Sequence, residues 1–132
     1  MEAILVDTSV WINVFKGVAT KASVFLRDNT DISVVTCPVI VQEVLQGIVS
    51  DKDFNTVSAH FNNLGRVPAN GYLYALEAAN LYRILRKKGI TIRKPNDCLI
   101  AVYAIKNDVV LLHEDKDFDH IAAFSGLKTV KL

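Results

Sequence analysis

Asp7, Glu43, Asp97 and Asp115 are acids from four distant segments, each set against an apolar run: "AILVD", "PVIVQEV", "NDCLIAVYA" and "VVLLHED". The last of these continues through Asp117 to Asp119, so that with Glu114 it holds four acids within six positions. Carboxylates that meet in space repel, and each unit of raised pKa is worth about 1.4 kcal/mol. A divalent cation resolves that repulsion. Mg²⁺ and Mn²⁺ favour oxygen ligands, and sites with one or two carboxylates per ion typically act on phosphates. A pair of such ions ~3.5–4 Å apart can hold both the attacking and the leaving oxygen. Zinc suits the chain less well, because His60, His113 and His120 lack a paired ligand spacing and Cys37 and Cys98 stand alone.

For these acids to meet, the elements between them must bring them to one place. "AILV" (3–6) reads as a short buried strand, and Asp7, Thr8 and Ser9 can cap the helix "SVWINVF" that follows. A second helix is expected over 20–28 and a β-branched strand over 32–36. Thr36 followed by Pro38 marks the start of the helix "PVIVQEVLQGI". Further helices are expected over 51–63, from Asn70 to Lys87, and from Asp97 to Asn107. The long one ends in Lys87, Lys88 and Gly89, a typical C-terminal signature. "VVLLH" (109–113) reads as a strand, "FDHIAAF" as a short helix and "KTVKL" as a last strand. The strands are continuous apolar runs rather than alternating ones, so both faces are covered. That predicts an α/β fold, a three-layer α/β/α arrangement around a central, mostly parallel sheet, with residues 1–132 as a single domain.

In open α/β sheets the strand ends line the ligand crevice. Asp7 directly follows the first strand and Asp115 follows "VVLLH" by two residues, so both reach that rim. Asp97 shares a helix face with Ala101 and Ala104, small residues that allow a close approach to the sheet. Glu43 falls at the margin of the stripe Ile40, Val41, Val44 and Ile48, next to Gly47, whereas a solvent-facing acid would sit at Gln42 or Gln46. Taken singly, each acid has a plainer reading as a cap, a helix margin or a solvated turn. Their joint placement at one rim carries the argument.

The 132 residues carry a net charge of +1, so bulk charge does not make this a nucleic-acid binder. The cations are nevertheless concentrated: "RILRKKGITIRK" holds Arg83, Arg86, Lys87, Lys88, Arg93 and Lys94. That stretch reads either as a solvated helix end or as a patch for phosphates or for an acidic partner. No apolar run reaches the ~18 residues of a membrane span, and no secretory leader is visible. A cytoplasmic location with two buried, reduced thiols is expected.

The segments "ILVDTSVWI", "VQEVLQG", "KPNDCLIAVYA" and "VVLLHEDKDF" occur in the order and at the spacing of a PIN-domain ribonuclease. Nearly the whole chain resembles the VapC-type toxins of prokaryotic toxin–antitoxin pairs. The resemblance implies a metal-dependent endoribonuclease that cleaves single-stranded or looped RNA. It implies Mg²⁺ (or Mn²⁺) held most directly by Asp7 and Asp97, with Glu43 and Asp115 completing the pocket. Asp117 is an additional acid, and Thr8 or Ser9 matches a supporting hydroxyl. It further implies an RNA substrate, a cognate antitoxin protein and a homodimer. Trp11 and Phe15 on the first helix read as core, or alternatively as lining an apolar groove for an antitoxin's helix. One departure is His113, where such proteins often carry Thr or Ser. Two other readings stand beside it: a PIN-like RNA- or protein-binding module without turnover, and a phosphatase-like α/β hydrolase. The latter needs a doubled acid after the first strand, and "VDTSV" has one.

Overall fold

Leu5 and Val6 have no exposed surface and Ile4 almost none, which places the first strand in the interior of the molecule. The computed structural model describes residues 2–132. Strand β1 (Ala3–Val6) pairs in parallel with β2 (Ser33–Thr36) on one side and with β4 (Val110–Leu112) on the other. A two-residue strand, β3 (Gly65–Arg66), extends β2, giving the order β3-β2-β1-β4. Seven helices surround this sheet: α1 (Thr8–Lys16), α2 (Lys21–Asp28), α3 (Pro38–Gln46), α4 (Asp51–Asn62), α5 (Gly71–Lys87), α6 (Asn96–Lys106) and α7 (Lys116–Ala123). The fold is the expected α/β/α arrangement with a parallel sheet.

The order has a consequence for the site. From β1 the chain moves to β2 and β3 on one side, then returns to place β4 on the other. The strand order therefore reverses between β1 and β4, and ligand crevices form at such switch points. The backbone of Asp7 extends the β1–β4 ladder by one bond, its N–H donating to the Leu112 carbonyl at 2.9 Å.

Helix α6 is the interior helix. Seven of its residues, Asp97, Cys98, Ile100, Ala101, Val102, Tyr103 and Ala104, are buried, as a helix apolar on all sides requires. Ala101 and Ala104 have no exposed surface at all. Their small side chains let α6 lie deep in the molecule while its first turn reaches the sheet rim. The α5 terminus follows expectation, with Gly89 at φ 82, a left-handed conformation that a β-carbon would strain.

Four details differ from the sequence expectation. Strand β3 lacks an apolar signature because both its residues are exposed, and backbone pairing alone defines it. "KTVKL" does not form a strand: only Thr129 bridges Leu111, supported by the bonds Leu111 N–H to Lys128 O and Val130 N–H to Leu111 O. Helix α3 starts at Pro38 as expected but ends at Gln46, before Gly47 and Ile48. Helix α7 begins at Lys116, two residues before Phe118, because Asp115 caps it. Enlarging the buried small face of α6 with Ala101→Leu is expected to destabilise the protein by about 1–3 kcal/mol. Urea denaturation measures it, and a loss under about 0.5 kcal/mol would show that the helix has room to spare.

Candidate metal centre at the sheet rim

Asp7 is the N-cap of α1. Its Oδ2 accepts from the Ser9 backbone N–H at 3.0 Å and from the Ser9 hydroxyl at 2.6 Å. The capping reading is thus correct but uses one oxygen only. Oδ1 is buried and has no hydrogen-bond partner among the described residues. Asp97 lies in the first turn of α6, is 4% exposed, and makes no cap; its Oδ2 is likewise buried and unpartnered. Buried polar atoms are nearly always satisfied, so two orphaned carboxylate oxygens at one rim need a partner from outside the chain.

Asp115 and Asp117 come from the β4 side. Asp115 caps α7, accepting from the Asp117 N–H at 3.0 Å. Asp117 Oδ2 accepts from the Arg93 N–H at 3.2 Å. One carboxylate oxygen from each of Asp97, Asp115 and Asp117 lies within 4.8 Å of the others. Glu43 is half-buried while Gln42 and Gln46 are exposed, as its margin position predicts. Thr8 donates its hydroxyl to Glu43 Oε1 at 2.7 Å, which aims the carboxylate from α3 toward α1.

The electrostatics join the two halves. Burial, then the charges of Asp7 and Asp115, push the Asp97 carboxyl up to about 7; Lys94 opposes the shift and Glu43 adds to it. Asp7 is also raised, first by burial and last by Glu43, against the hydrogen bonds from Ser9 and Thr8. Asp97 therefore feels the charges of Asp7, Glu43 and Asp115, while the closest carboxylate trio is Asp97, Asp115 and Asp117, so Asp117 stands nearer the centre than its supporting role suggested. The signal for Asp117 is the Asp-x-Asp spacing at a helix start: Asp115 as N-cap accepts from the Asp117 N–H, which holds the two residues together although two positions along a helix do not share a face.

The other two acids of the run 114–119 go elsewhere. Glu114 accepts from Asn13 at 2.5 Å and from the Thr20 hydroxyl, tying the β4 loop to α1 and α2. Its own N–H donates to the Ser9 hydroxyl at 3.2 Å. Asp119 is 70% exposed and lies 3.5 Å from His113 Nε2. His113 is packed, its Nδ1 accepting from the Asp115 N–H and its ring tilted against Phe118. The basic stretch also divides. Arg93 approaches Asp115 at 3.7 Å and Asp117 at 3.6 Å, and Lys94 approaches Asp115 at 3.7 Å. Neither had been assigned to the acid site from sequence.

The donor set is oxygen-rich, anionic and partly orphaned, which fits a hard divalent cation. The thiols do not compete: Cys37 and Cys98 are free and buried, and burial pushes them up to about 12 and about 11. Beside Glu43, α1, α3 and α4 enclose a groove of about 550 Å³ lined by Ile12, Phe15, Val44, Ile48 and Val57. Trp11 is core, packed between Phe15, His60 and Phe61, whereas Phe15 is 40% exposed at the groove. No helix among the described residues is long and apolar enough to cross a membrane.

Residues 4–124 match the PIN domain. The chain is 34% identical over 128 residues to the VapC ribonuclease Mb1587 of Mycobacterium bovis and to ribonuclease VapC11 of Mycobacterium tuberculosis, covering 95% of this chain and 96% of each relative. Among solved structures, it resembles VapBC2 from Rickettsia felis bound to a promoter DNA fragment, with a TM-score of 0.76, 15% identity and 97% of each chain covered. It also resembles VapBC-5 of Mycobacterium tuberculosis, a toxin–antitoxin system, with a TM-score of 0.67, 20% identity and 100% coverage of both.

The raised Asp97 predicts a pH dependence. An unfolded aspartate releases its proton near 3.8, whereas folded Asp97 keeps it to about 7. Between those values the unfolded state binds fewer protons, so stability contributed by Asp97 is present at the acid end and is lost as pH rises. Without divalent cation, the melting temperature of Asp97→Asn should exceed that of the unaltered chain near neutral pH. The two should converge toward about pH 4. Mg²⁺ should raise the melting temperature of the unaltered chain near neutral pH and move Asp97→Asn much less. Parallel pH profiles for the two chains would contradict the buried-acid assignment.

Proposed function

The chain belongs to the PIN-domain family, and from that premise we propose that it is a divalent-metal-dependent endoribonuclease of the VapC type, cleaving single-stranded or looped RNA. The observation that carries this reading is the pair of buried, unpartnered carboxylate oxygens, on Asp7 and Asp97, at a parallel-sheet switch point where Asp97 also clusters with Asp115 and Asp117. Asp7, Asp97 and Asp115 would hold Mg²⁺ or Mn²⁺, with Glu43 and Asp117 completing the set. When bound, the cation supplies positive charge to the phosphate oxygens and lowers the pKa of water.

The chain's own groups then divide the work. Ser9 fixes Asp7 by two hydrogen bonds and, through the Glu114 N–H, ties the β1 rim to the β4 rim. Thr8 occupies Glu43 Oε1, which leaves Oε2 to accept a proton from attacking water. Water adds to phosphorus as its proton passes to Glu43, the bond to the leaving ribose oxygen breaks, and that oxygen takes up a proton from solvent to leave as a hydroxyl. Arg93 is 69% exposed and Lys94 61% exposed beside Asp115, where both can also meet a phosphate.

A toxin needs restraint, and the groove beside Glu43 suits a helix of a cognate antitoxin, with apolar anchors between Phe15 and Ile48. A symmetric homodimer in the cytoplasm completes the reading. Incubation of the purified chain with structured RNA and Mg²⁺ or Mn²⁺ should yield fragments. Asp7→Asn should cut at least about 100-fold more slowly, the usual scale for losing an electrostatic contribution of ~3 kcal/mol. Equal, negligible cleavage by both chains would favour a binding module, and phosphate release from a small ester would favour a phosphatase.

A further inference from the structure

A second cavity, about 500 Å³, lies where α5 meets the start of α6. Its floor is apolar, formed by Ala78 and Leu99 among others, and its wall holds Tyr82, Arg83, Arg86 and Asn96. We propose that this cavity is a nucleotide subsite that receives a base of the RNA strand flanking the cleaved phosphodiester. The proposal rests on the ribonuclease reading and adds the place where the substrate is gripped.

Position is the first argument. Asn96 lines the cavity and the next residue is Asp97. Lys94, two residues before Asn96, lies 3.7 Å from Asp115. The cavity therefore begins where the acid cluster ends, and a strand held at the acids has a neighbouring nucleotide beside it.

Chemistry is the second. Single-stranded RNA is recognised through unstacked bases laid on aromatic rings or guanidinium planes, with their edges hydrogen-bonded and their phosphates met by cations. The Arg86 guanidinium lies 5.7 Å from the centroid of the Tyr82 ring, so both kinds of stacking surface form one wall. Tyr82 is half-buried and Arg83 and Arg86 are exposed. Among the described residues, no carboxylate lies within ion-pair distance of either arginine, unlike Arg93 and Lys94. Two free cations beside a cluster of acids favour an anionic polymer over a neutral or acidic peptide. The Asn96 amide makes no hydrogen bond among the described residues and can meet a base edge in either sense.

The test uses a fluorescent single-stranded RNA and the Asp97→Asn chain, which holds the strand without cutting it. Adding Tyr82→Ala should weaken binding roughly tenfold, the scale of one lost stacking contact. An oligonucleotide with one abasic position at the flanking nucleotide should lose a similar factor against Tyr82, and no further factor against Tyr82→Ala. Arg83→Gln, an exposed change that leaves the fold alone, should flatten the salt dependence of binding by about one counterion. Unchanged affinity in Tyr82→Ala and Arg83→Gln, with RNA still cleaved by the chain carrying Asp97, would overturn the subsite and leave the ribonuclease reading intact. A shift in oligomeric state with RNA affinity unchanged would assign the cavity to a protein interface and overturn it equally. Intact RNA and no binding by the unaltered chain would remove both readings together.

Discussion

Removing several carboxylates from water and setting them against one another opposes folding, and this repulsion is the constraint on which the structure turns. Asp7 and Asp97 both resist ionisation because of burial first and their neighbours second. The stabilisation that offsets this comes from elsewhere. It comes from a sheet whose strand β1 buries Ile4, Leu5 and Val6, and from an interior helix with seven buried residues. The acids stand at the end of β1, at the end of β4 and in the first turn of α6, elements too well packed to let them separate.

Local hydrogen bonding limits the cost without abolishing it. Asp7 and Asp115 each turn one oxygen to a backbone N–H at a helix start, where negative charge is favoured. Asp117 takes the Arg93 N–H, and Glu43 takes the Thr8 hydroxyl. In each case one oxygen is fixed while the carboxylate keeps capacity to spare. That arrangement orients a ligand atom and leaves it available. A fully satisfied network would be more stable and would have nothing to offer a cation.

Much of this was legible because the signals were local. A buried strand ending in an acid, a helix opening with one, and an apolar stripe with Glu43 at its margin are patterns of period and punctuation. The margin position of Glu43 is legible because glutamines take the solvent positions of its helix. What escaped depended on contacts across the chain. Strand β3 exists only through pairing with β2, and residues 128–132 fail as a strand because one bridge to Leu111 is all they form. Arg93 and Lys94 looked like part of a solvated basic tract, yet the turn after α5 sets them against Asp115. The acidic run 114–119 split in two because a helix starts inside it. Residues 115 and 117 face the site, residue 114 reaches back to α1 and α2, and residue 119 points to solvent.

The same constraint organises what surrounds the centre. An apolar groove opens beside Glu43 on the α3 side, and a cavity with free arginines opens beside Asp97 on the α6 side. An acidic rim that repels itself cannot supply much binding energy for an anionic strand. On the ribonuclease reading proposed above, grip would come from cations displaced along the surface, and restraint from apolar contacts that the acids do not weaken. The net charge of +1 conceals this division. Negative charge is gathered at the sheet rim and positive charge along 83–94, so attraction for a polyanion is local to one edge of the site. Charge separation within a nearly neutral chain thus gives one edge of the rim the local positive field that a basic protein achieves by excess.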